Sequence, residues 1–156
     1  MADQRFSTRE LVGICSVTPR QVQWWCEHGL LLEHWGSGHW REFTRDDALL
    51  VMIVSELRQK TFGELQQHAH LDLRRVRAAF LHRSGQFLLA DGKRFTWQAT
   101  EAAVIEALKK HPGGMHVVDV AVLEVRLAQE IEKLRARVAP ARLPRPGKVL
   151  SAGGRQ

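Results

Sequence analysis

The sequence predicts a mainly α-helical fold with small β-sheets, and three features of its 156 residues support this prediction. Stretches with helical periodicity begin after residues that suit a helix N-cap, as at Ser7, Thr18 and Thr44. Two pairs of short apolar runs are separated by glycine-containing turns, at 36–38 and 91–92, which indicates hairpins. A last periodic stretch, 120–138, predicts a long helix near the C-terminus.

The stretch 19–28 has the features of a helix with one polar face. Thr18 can cap it, Pro19 suits its first turn, and Gly29 can adopt the left-handed conformation that ends a helix. Its apolar face carries Val22, Trp25 and Cys26. The opposite face carries donors that reach base edges and phosphates: Arg20, Gln21, Trp24 and His28. We interpret this stretch as the DNA-reading helix of a helix-turn-helix; the alternative is a solvated helix surface with an exposed tryptophan.

The flanking residues complete a helix-turn-helix with a wing. Ser7 and Glu10 predict a capping box for the first helix, and a short turn, 16–18, leads into the second. Residues 33–43 predict a short hairpin, which would form the wing.

Two further helices complete a predicted four-helix domain over 1–83. Thr44 would cap the third helix, which is apolar nearly all round: Leu49, Leu50, Met52, Ile53 and Leu57. The fourth helix would begin within 64–70, and Asp72 would cap its continuation to about His82.

Three blocks of this domain resemble the MerR family of bacterial transcription regulators. Residues 17–31, Val-Thr-Pro-Arg-Gln-Val-Gln-Trp-Trp-Cys-Glu-His-Gly-Leu-Leu, are similar to the family's pattern Val-Ser-Pro-Arg-x-Leu-Arg-Tyr-Tyr-Glu-x-x-Gly-Leu-Leu. Residues 38–47 look like the family's wing, and residues 57–65 are similar to the segment that enters its fourth helix. The blocks follow the family order over roughly residues 6–70.

Some positions depart from the family pattern. Gln23 replaces the usual Arg, the tandem Trp24-Trp25 replaces tandem Tyr, and Cys26 replaces Glu. His39 looks like an insertion in the wing. Gln23 can still hydrogen-bond a base or a phosphate, but it lacks the charge that releases counterions.

The resemblance implies a homodimeric regulator that binds the spacer of a promoter and distorts the DNA. The predicted contacts to double-stranded DNA come from the second helix and the wing: Thr18, Arg20, Gln21, Gln23, Trp24, His39, Trp40 and Arg41. Of these, Arg20 and Arg41 match the family pattern directly. RNA polymerase is a further candidate partner. The alternatives are a protein-interaction module and a DNA-architectural protein that uses the same fold at recombination sites.

Residues 86–120 predict a small ββαβ unit of unknown role. Asp91-Gly92 is a strong hairpin signal, Thr100 can cap the following helix, and Pro112 can end it. The unit resembles the C-terminal module of a subset of MerR-like proteins, and this resemblance implies no activity.

Residues 121–138 predict a dimerisation helix. Its apolar stripe consists of Leu127, Ile131, Leu134 and Val138. MerR relatives dimerise through an antiparallel helix pair, so the resemblance supports this role; the alternative is a helix that covers its own small domain. Residues 139–156 contain three prolines and four cations, which predicts a disordered basic tail.

The composition indicates which partners and which cellular compartment are expected. The net charge is +6, but residues 1–45 carry five basic and five acidic side chains, so charge supports a polyanionic partner only mildly. Cys15 and Cys26 are expected to be free thiols of a cytoplasmic protein. We find no signal peptide and no apolar run long enough for a bilayer, so no membrane partner is expected.

The sequence also lacks a convincing catalytic constellation. The eight histidines are scattered, and a zinc site built from His34, His39 and Cys26 would lack a fourth ligand. No glycine-rich phosphate loop follows a strand. We therefore predict a protein that is not an enzyme and that needs no cofactor or metal; its effector cannot be named from the sequence.

Overall fold

The computed structural model describes residues 4–32, 34–35, 40–61, 72–91 and 94–138. This part of the chain is mainly helical with small sheets, as predicted. Its elements, in chain order, are β1 (Arg5–Ser7), α1 (Thr8–Cys15), α2 (Pro19–Glu27), β2 (His34–Trp35), β3 (Arg41–Thr44), α3 (Arg45–Thr61), α4 (Leu73–Leu81), β4 (Phe87–Ala90), β5 (Phe95–Gln98), α5 (Glu101–Lys109), β6 (His116–Asp119) and α6 (Val120–Val138).

The helices begin where the sequence predicts them, because the capping side chains satisfy free backbone N–H groups. The hydroxyl of Ser7 accepts a bond from the backbone N–H of Glu10, and the Glu10 carboxylate accepts one from the Ser7 N–H at 2.8 Å. Asp72 caps α4 and Thr100 caps α5 in a similar way. The predicted start of a fourth helix within 64–70 and the predicted tail, 139–156, lie outside the described residues.

Two short segments set the path of the chain around α2. Ser16 adopts a left-handed conformation (φ 54°) that turns the chain from α1 towards α2. Gly29 has φ 81°, and the Arg74 side chain lies 3.1 Å from where a Cβ at this position would be. The positive φ therefore favours glycine after α2, and a larger residue would also have to displace the Arg74 side chain slightly.

Both sheets have three antiparallel strands. In the first, β3 lies between β1 and β2, with Phe6 opposite Phe43 and Trp35 opposite Arg41. In the second, β4 lies between β5 and β6, with Leu88 opposite both Trp97 and Val118. The central strand β4 is buried along its whole length.

The second sheet contributes its two faces to different apolar clusters. Leu88, Ala90 and Val118 belong to the same core as the buried residues of α1, α2 and α3. Phe87 and Leu89 point to the other face, where they pack with Val104 of α5. The alternation of a strand explains this division, because neighbouring side chains point to opposite faces. The division of the chain into separate domains stays a prediction.

Helix α6 spans the predicted residues but packs largely within its own chain. Leu127 and Ile131 are buried in the core, and α6 contacts both α1 and α3. Leu134 is partly buried against this core, whereas Val138 is 68% exposed. Two of the four predicted dimerisation residues are thus covered by intrachain packing, because an apolar stripe can be buried by its own domain as readily as by a partner.

A buried carboxylate connects the first sheet to two helices. Asp47 is 4% exposed, and its Oδ2 accepts bonds from the backbone N–H and the hydroxyl of Thr44, at 2.8 and 3.0 Å. Its Oδ1 lies 3.9 Å from Nη1 of Arg77, and the same Nη1 donates to the carbonyl of Leu30 at 2.8 Å. Residues of β3, α3, α4 and the segment after α2 are therefore held by one polar network.

We expect Asp47→Ala to lower the free energy of unfolding by about 3 kcal/mol, since it leaves the Thr44 N–H without its acceptor and Arg77 without its carboxylate. The control is Asp46→Ala, which changes an exposed acid in the same helical turn and should cost less than about 1 kcal/mol. Urea unfolding followed by circular dichroism measures both values. Equal losses in the two variants would contradict this role of Asp47.

Candidate nucleic-acid interface

The rotation of α2 about its axis is determined by its buried side. Val22 and Trp25 are almost completely inaccessible to solvent. As a consequence, Arg20, Gln23 and Trp24 lie on the exposed side of the helix, and 39% of Trp24 is accessible. Arg20 is the second residue of α2, where free backbone N–H groups and the helix dipole favour a phosphate.

Two of the predicted contact residues form the cap of α2. The Thr18 hydroxyl accepts a bond from the backbone N–H of Gln21. In return, Oε1 of Gln21 accepts bonds from the Thr18 N–H at 2.8 Å and from its hydroxyl at 3.2 Å. Because of these bonds, the half-buried side chain of Gln21 caps α2. The sequence-based prediction for this side chain was a DNA contact and did not include a cap.

Trp24 is in contact with two side chains that were not among the predicted site residues. The rings of Trp24 and His28 stack at a centroid distance of 4.1 Å, and Nδ1 of His28 lies 2.7 Å from the carbonyl oxygen of Trp24. The guanidinium carbon of Arg58 lies 5.4 Å from the centroid of the Trp24 ring. The spacing of four residues already placed His28 on this face, but no local signal identifies Arg58, which comes from α3.

Gln23, which stands where the family pattern has Arg, is bonded within its own helix. Its Nε2 donates to Oε1 of Glu27 at 2.9 Å. Glu27 is exposed and therefore adds a negative charge to the same side of α2. A carboxylate on this surface opposes the approach of phosphates and occupies the amide of Gln23.

The predicted wing contributes one strongly exposed aromatic residue. Trp40 is 77% exposed and comes directly before β3, while Arg41 is the first residue of that strand and is half-buried. His39 lies outside the described residues. The backbone pairing of β2 with β3 brings the two sides of this segment together, as the sequence predicts.

These features define the class of the N-terminal region. Two short helices joined by a tight turn, with the second helix exposing a polar face, make a helix-turn-helix DNA-binding unit. Residues 6–77 match the model of the MerR HTH family of regulatory proteins, which identifies this region as a MerR-type helix-turn-helix domain. A domain of this kind indicates a DNA-binding transcription regulator. A comparison with characterised proteins found no match.

In the described ranges, no three His, Cys, Asp or Glu side chains lie close enough together to hold a metal ion. None of the helices in this part of the chain is both long and apolar enough to cross a membrane.

We expect Glu27→Gln to raise the affinity for duplex DNA about fivefold, because removing an exposed carboxylate near phosphates is worth about 1 kcal/mol. Glu101→Gln, which changes an exposed acid in the first turn of α5, serves as the charge-matched control and should leave the affinity unchanged. Fluorescence anisotropy with a labelled duplex measures both. An equal gain in the control would mean that only net charge matters.

Proposed function

We propose that this protein regulates transcription by binding promoter DNA as a homodimer, with α2 in the major groove. The proposal is supported mainly by the exposed side of α2, which carries the cation Arg20, the amide of Gln23 and the indole of Trp24. The opposite side of the helix is buried in the core. A major groove admits a helix of this kind, and its base edges present acceptors to such donors.

In this proposal, different residues position the protein and read the bases. Arg20 and the N-terminal turn of α2 bind a phosphate or a guanine, and Gln23 reaches a base once its bond to Glu27 breaks. Trp24, held by its contacts to His28 and Arg58, packs against the sugar-phosphate backbone or a thymine methyl group. Trp40 and Arg41 hold the backbone from the predicted wing.

The proposed dimer uses the end of α6 that emerges from the core. The apolar stripe of this helix is buried at Leu127 and Ile131 but becomes accessible at its last turns, where Val138 is exposed. Leu134 and Val138 could therefore contact a second copy without any change in the core. A dimer would present two copies of α2 to two half-sites, which is the usual arrangement for helix-turn-helix proteins.

Two alternative functions compete with this proposal. The exposed apolar side chains Val122 and Val125 would also suit a protein-interaction module, in which DNA binding has no role. A DNA-architectural protein would use the same surface of α2 as a regulator does. Reporter output from a bound promoter separates these two DNA-binding roles, since only regulation changes transcription.

We expect Arg20→Ala to lower the affinity for the protein's own upstream DNA about tenfold, since a phosphate or guanine contact of this kind is worth about 1–3 kcal/mol. If Arg20 binds a phosphate, the slope of the logarithm of the binding constant against the logarithm of the salt concentration should also become less steep by about one. Anisotropy at two salt concentrations, with the upstream fragment and a random duplex, measures these changes.

The matched control for this experiment is Arg94→Ala, which removes an exposed arginine directly before β5, outside α2, the predicted wing and the proposed dimer contact. Circular dichroism verifies that both variants keep the wild-type fold. If Arg20→Ala binds both duplexes as the wild type does, α2 does not read DNA, and the interaction module becomes the better account.

We expect Val138→Asp to convert a dimer into monomers, because it puts a charge into an apolar contact. Val122→Asp is the control, since Val122 is similarly exposed, at 61%, but lies on another side of α6. Sedimentation analysis of both variants gives the masses. Dissociation by Val122→Asp alone would move the interface to that side of the helix.

A further inference from the structure

The side chain of His28 is held in a fixed orientation at the end of α2. His28 follows the last residue of the helix and is exposed to solvent. Its ring stacks on the Trp24 indole with an angle of 27° between the two ring planes, and its Nδ1 lies 2.7 Å from the Trp24 carbonyl oxygen. A ring contact and a polar contact to the same residue therefore determine both the position and the rotation of the imidazole.

The contact with the carbonyl oxygen also determines which ring nitrogen of His28 can change its protonation. A carbonyl oxygen only accepts hydrogen bonds, so Nδ1 must carry a hydrogen in order to donate to it. Nε2 is then an acceptor in the neutral ring and a second donor in the charged ring. The proton that His28 gains when it becomes charged is therefore bound to Nε2, while Nδ1 keeps its bond to the helix.

The charges around the end of α2 favour an anion. Two exposed arginines reach this end from other helices. The guanidinium carbon of Arg58, from α3, lies 5.4 Å from the centroid of the Trp24 ring, and the side chain of Arg74, from α4, packs beside Gly29. A charged His28 would be a third cation on this surface. An anion bound there would offset the repulsion between like charges.

The acid on this surface is partly occupied by another residue. Glu27 is the only acid in α2, and its carboxylate accepts a bond from the Gln23 amide at 2.9 Å. One carboxylate therefore faces the two arginines and His28. The balance of charge at the end of α2 is positive when His28 is protonated.

The position of His28 along α2 indicates which part of DNA it would reach. In helix-turn-helix complexes, the N-terminal residues of the second helix contact base edges, and the end of a recognition helix can contact the backbone. Arg20 lies in the first turn of α2, and His28 comes directly after its last residue, Glu27. The anion that fits His28 is therefore a phosphate of the DNA backbone.

We propose that His28 binds a backbone phosphate in its charged form and thereby makes DNA binding dependent on pH. Nε2–H would donate to a phosphate oxygen while Nδ1–H keeps its bond to the Trp24 carbonyl oxygen. Because only the charged ring makes this contact, binding of a proton and binding of DNA favour each other. The contact is therefore fully present at low pH and is lost as the pH rises and His28 loses its proton. This role of His28 rests on the proposed DNA-binding function.

His111 provides a matched control. It lies shortly after the end of α5, is exposed, and its Nδ1 lies 3.0 Å from the carbonyl oxygen of Ala107, four residues earlier. His28 makes the same local contact to Trp24. His111, however, lies outside α2, the predicted wing and the proposed dimer contact. Its substitution therefore removes an equivalent histidine without changing the candidate interface.

The test is the affinity of the full-length protein for its own upstream DNA at about pH 6 and about pH 8, at constant ionic strength, measured by fluorescence anisotropy. We expect the wild type to bind about fivefold more tightly at the lower pH. His28→Gln should lose most of this difference, and His111→Gln should keep it. His28→Lys carries a fixed charge, so it should bind tightly at both pH values.

The control variants separate a phosphate contact from a structural role. If His28 only supports the Trp24 ring, His28→Gln weakens binding equally at both pH values, and this result would overturn the proposed contact. An equal loss of pH dependence in His111→Gln would overturn it as well. Circular dichroism at both pH values verifies that the variants keep the wild-type fold.

Failure of this contact can be distinguished from failure of the proposed function. If the wild type prefers its upstream DNA over a random duplex and Arg20→Ala weakens that binding, the DNA-binding function stands whatever His28→Gln does. If the wild type shows no such preference at either pH, the proposed function and the role of His28 are overturned together.

Discussion

The burial of Trp25 is the constraint on which the candidate interface depends. Its side chain is inaccessible, and its backbone carbonyl accepts bonds from the N–H groups of both Leu30 and Leu31, at 3.0 and 3.4 Å. The residue therefore sets the rotation of α2 and the direction in which the chain leaves it. Because the side chains of a helix are fixed relative to one another, burying Trp25 also determines that Arg20, Gln23 and Trp24 face outwards.

Long-range polar contacts hold this helix-turn-helix in the rest of the chain. Arg77 of α4 donates to the carbonyl of Leu30, which is 47 residues away in sequence, and Arg74 packs over Gly29. Asp47 ties Arg77 to the beginning of α3 and to the end of β3. Such bonds are strong where they are shielded from water, and here they connect elements that are far apart in the sequence.

Helix α6 packs in the core along most of its length. Its apolar periodicity therefore fitted two interpretations, a dimerisation helix and a helix that covers its own domain. Leu123, Leu127 and Ile131 are buried against the chain's own helices, whereas Val138 is exposed at the end. A stripe of apolar residues indicates that one side of a helix is covered. It does not indicate whether the chain's own core or a partner subunit covers it. The sheet β5-β4-β6 is a second example. Its strand pattern does not indicate that one of its faces packs in the core formed by the N-terminal helices.

The sequence by itself determined the local structure and the family resemblance of the N-terminal region. Ser7, Thr18, Asp72 and Thr100 each cap a helix where predicted, Gly29 has the expected positive φ, and residues 6–77 match the MerR family. These features depend on interactions within a few residues, so a linear pattern contains them. Only the tertiary structure placed Arg58 against Trp24 and buried Leu127 in its own chain. Those outcomes depend on which distant elements meet, and the periodicity of a single helix carries no information about its neighbours.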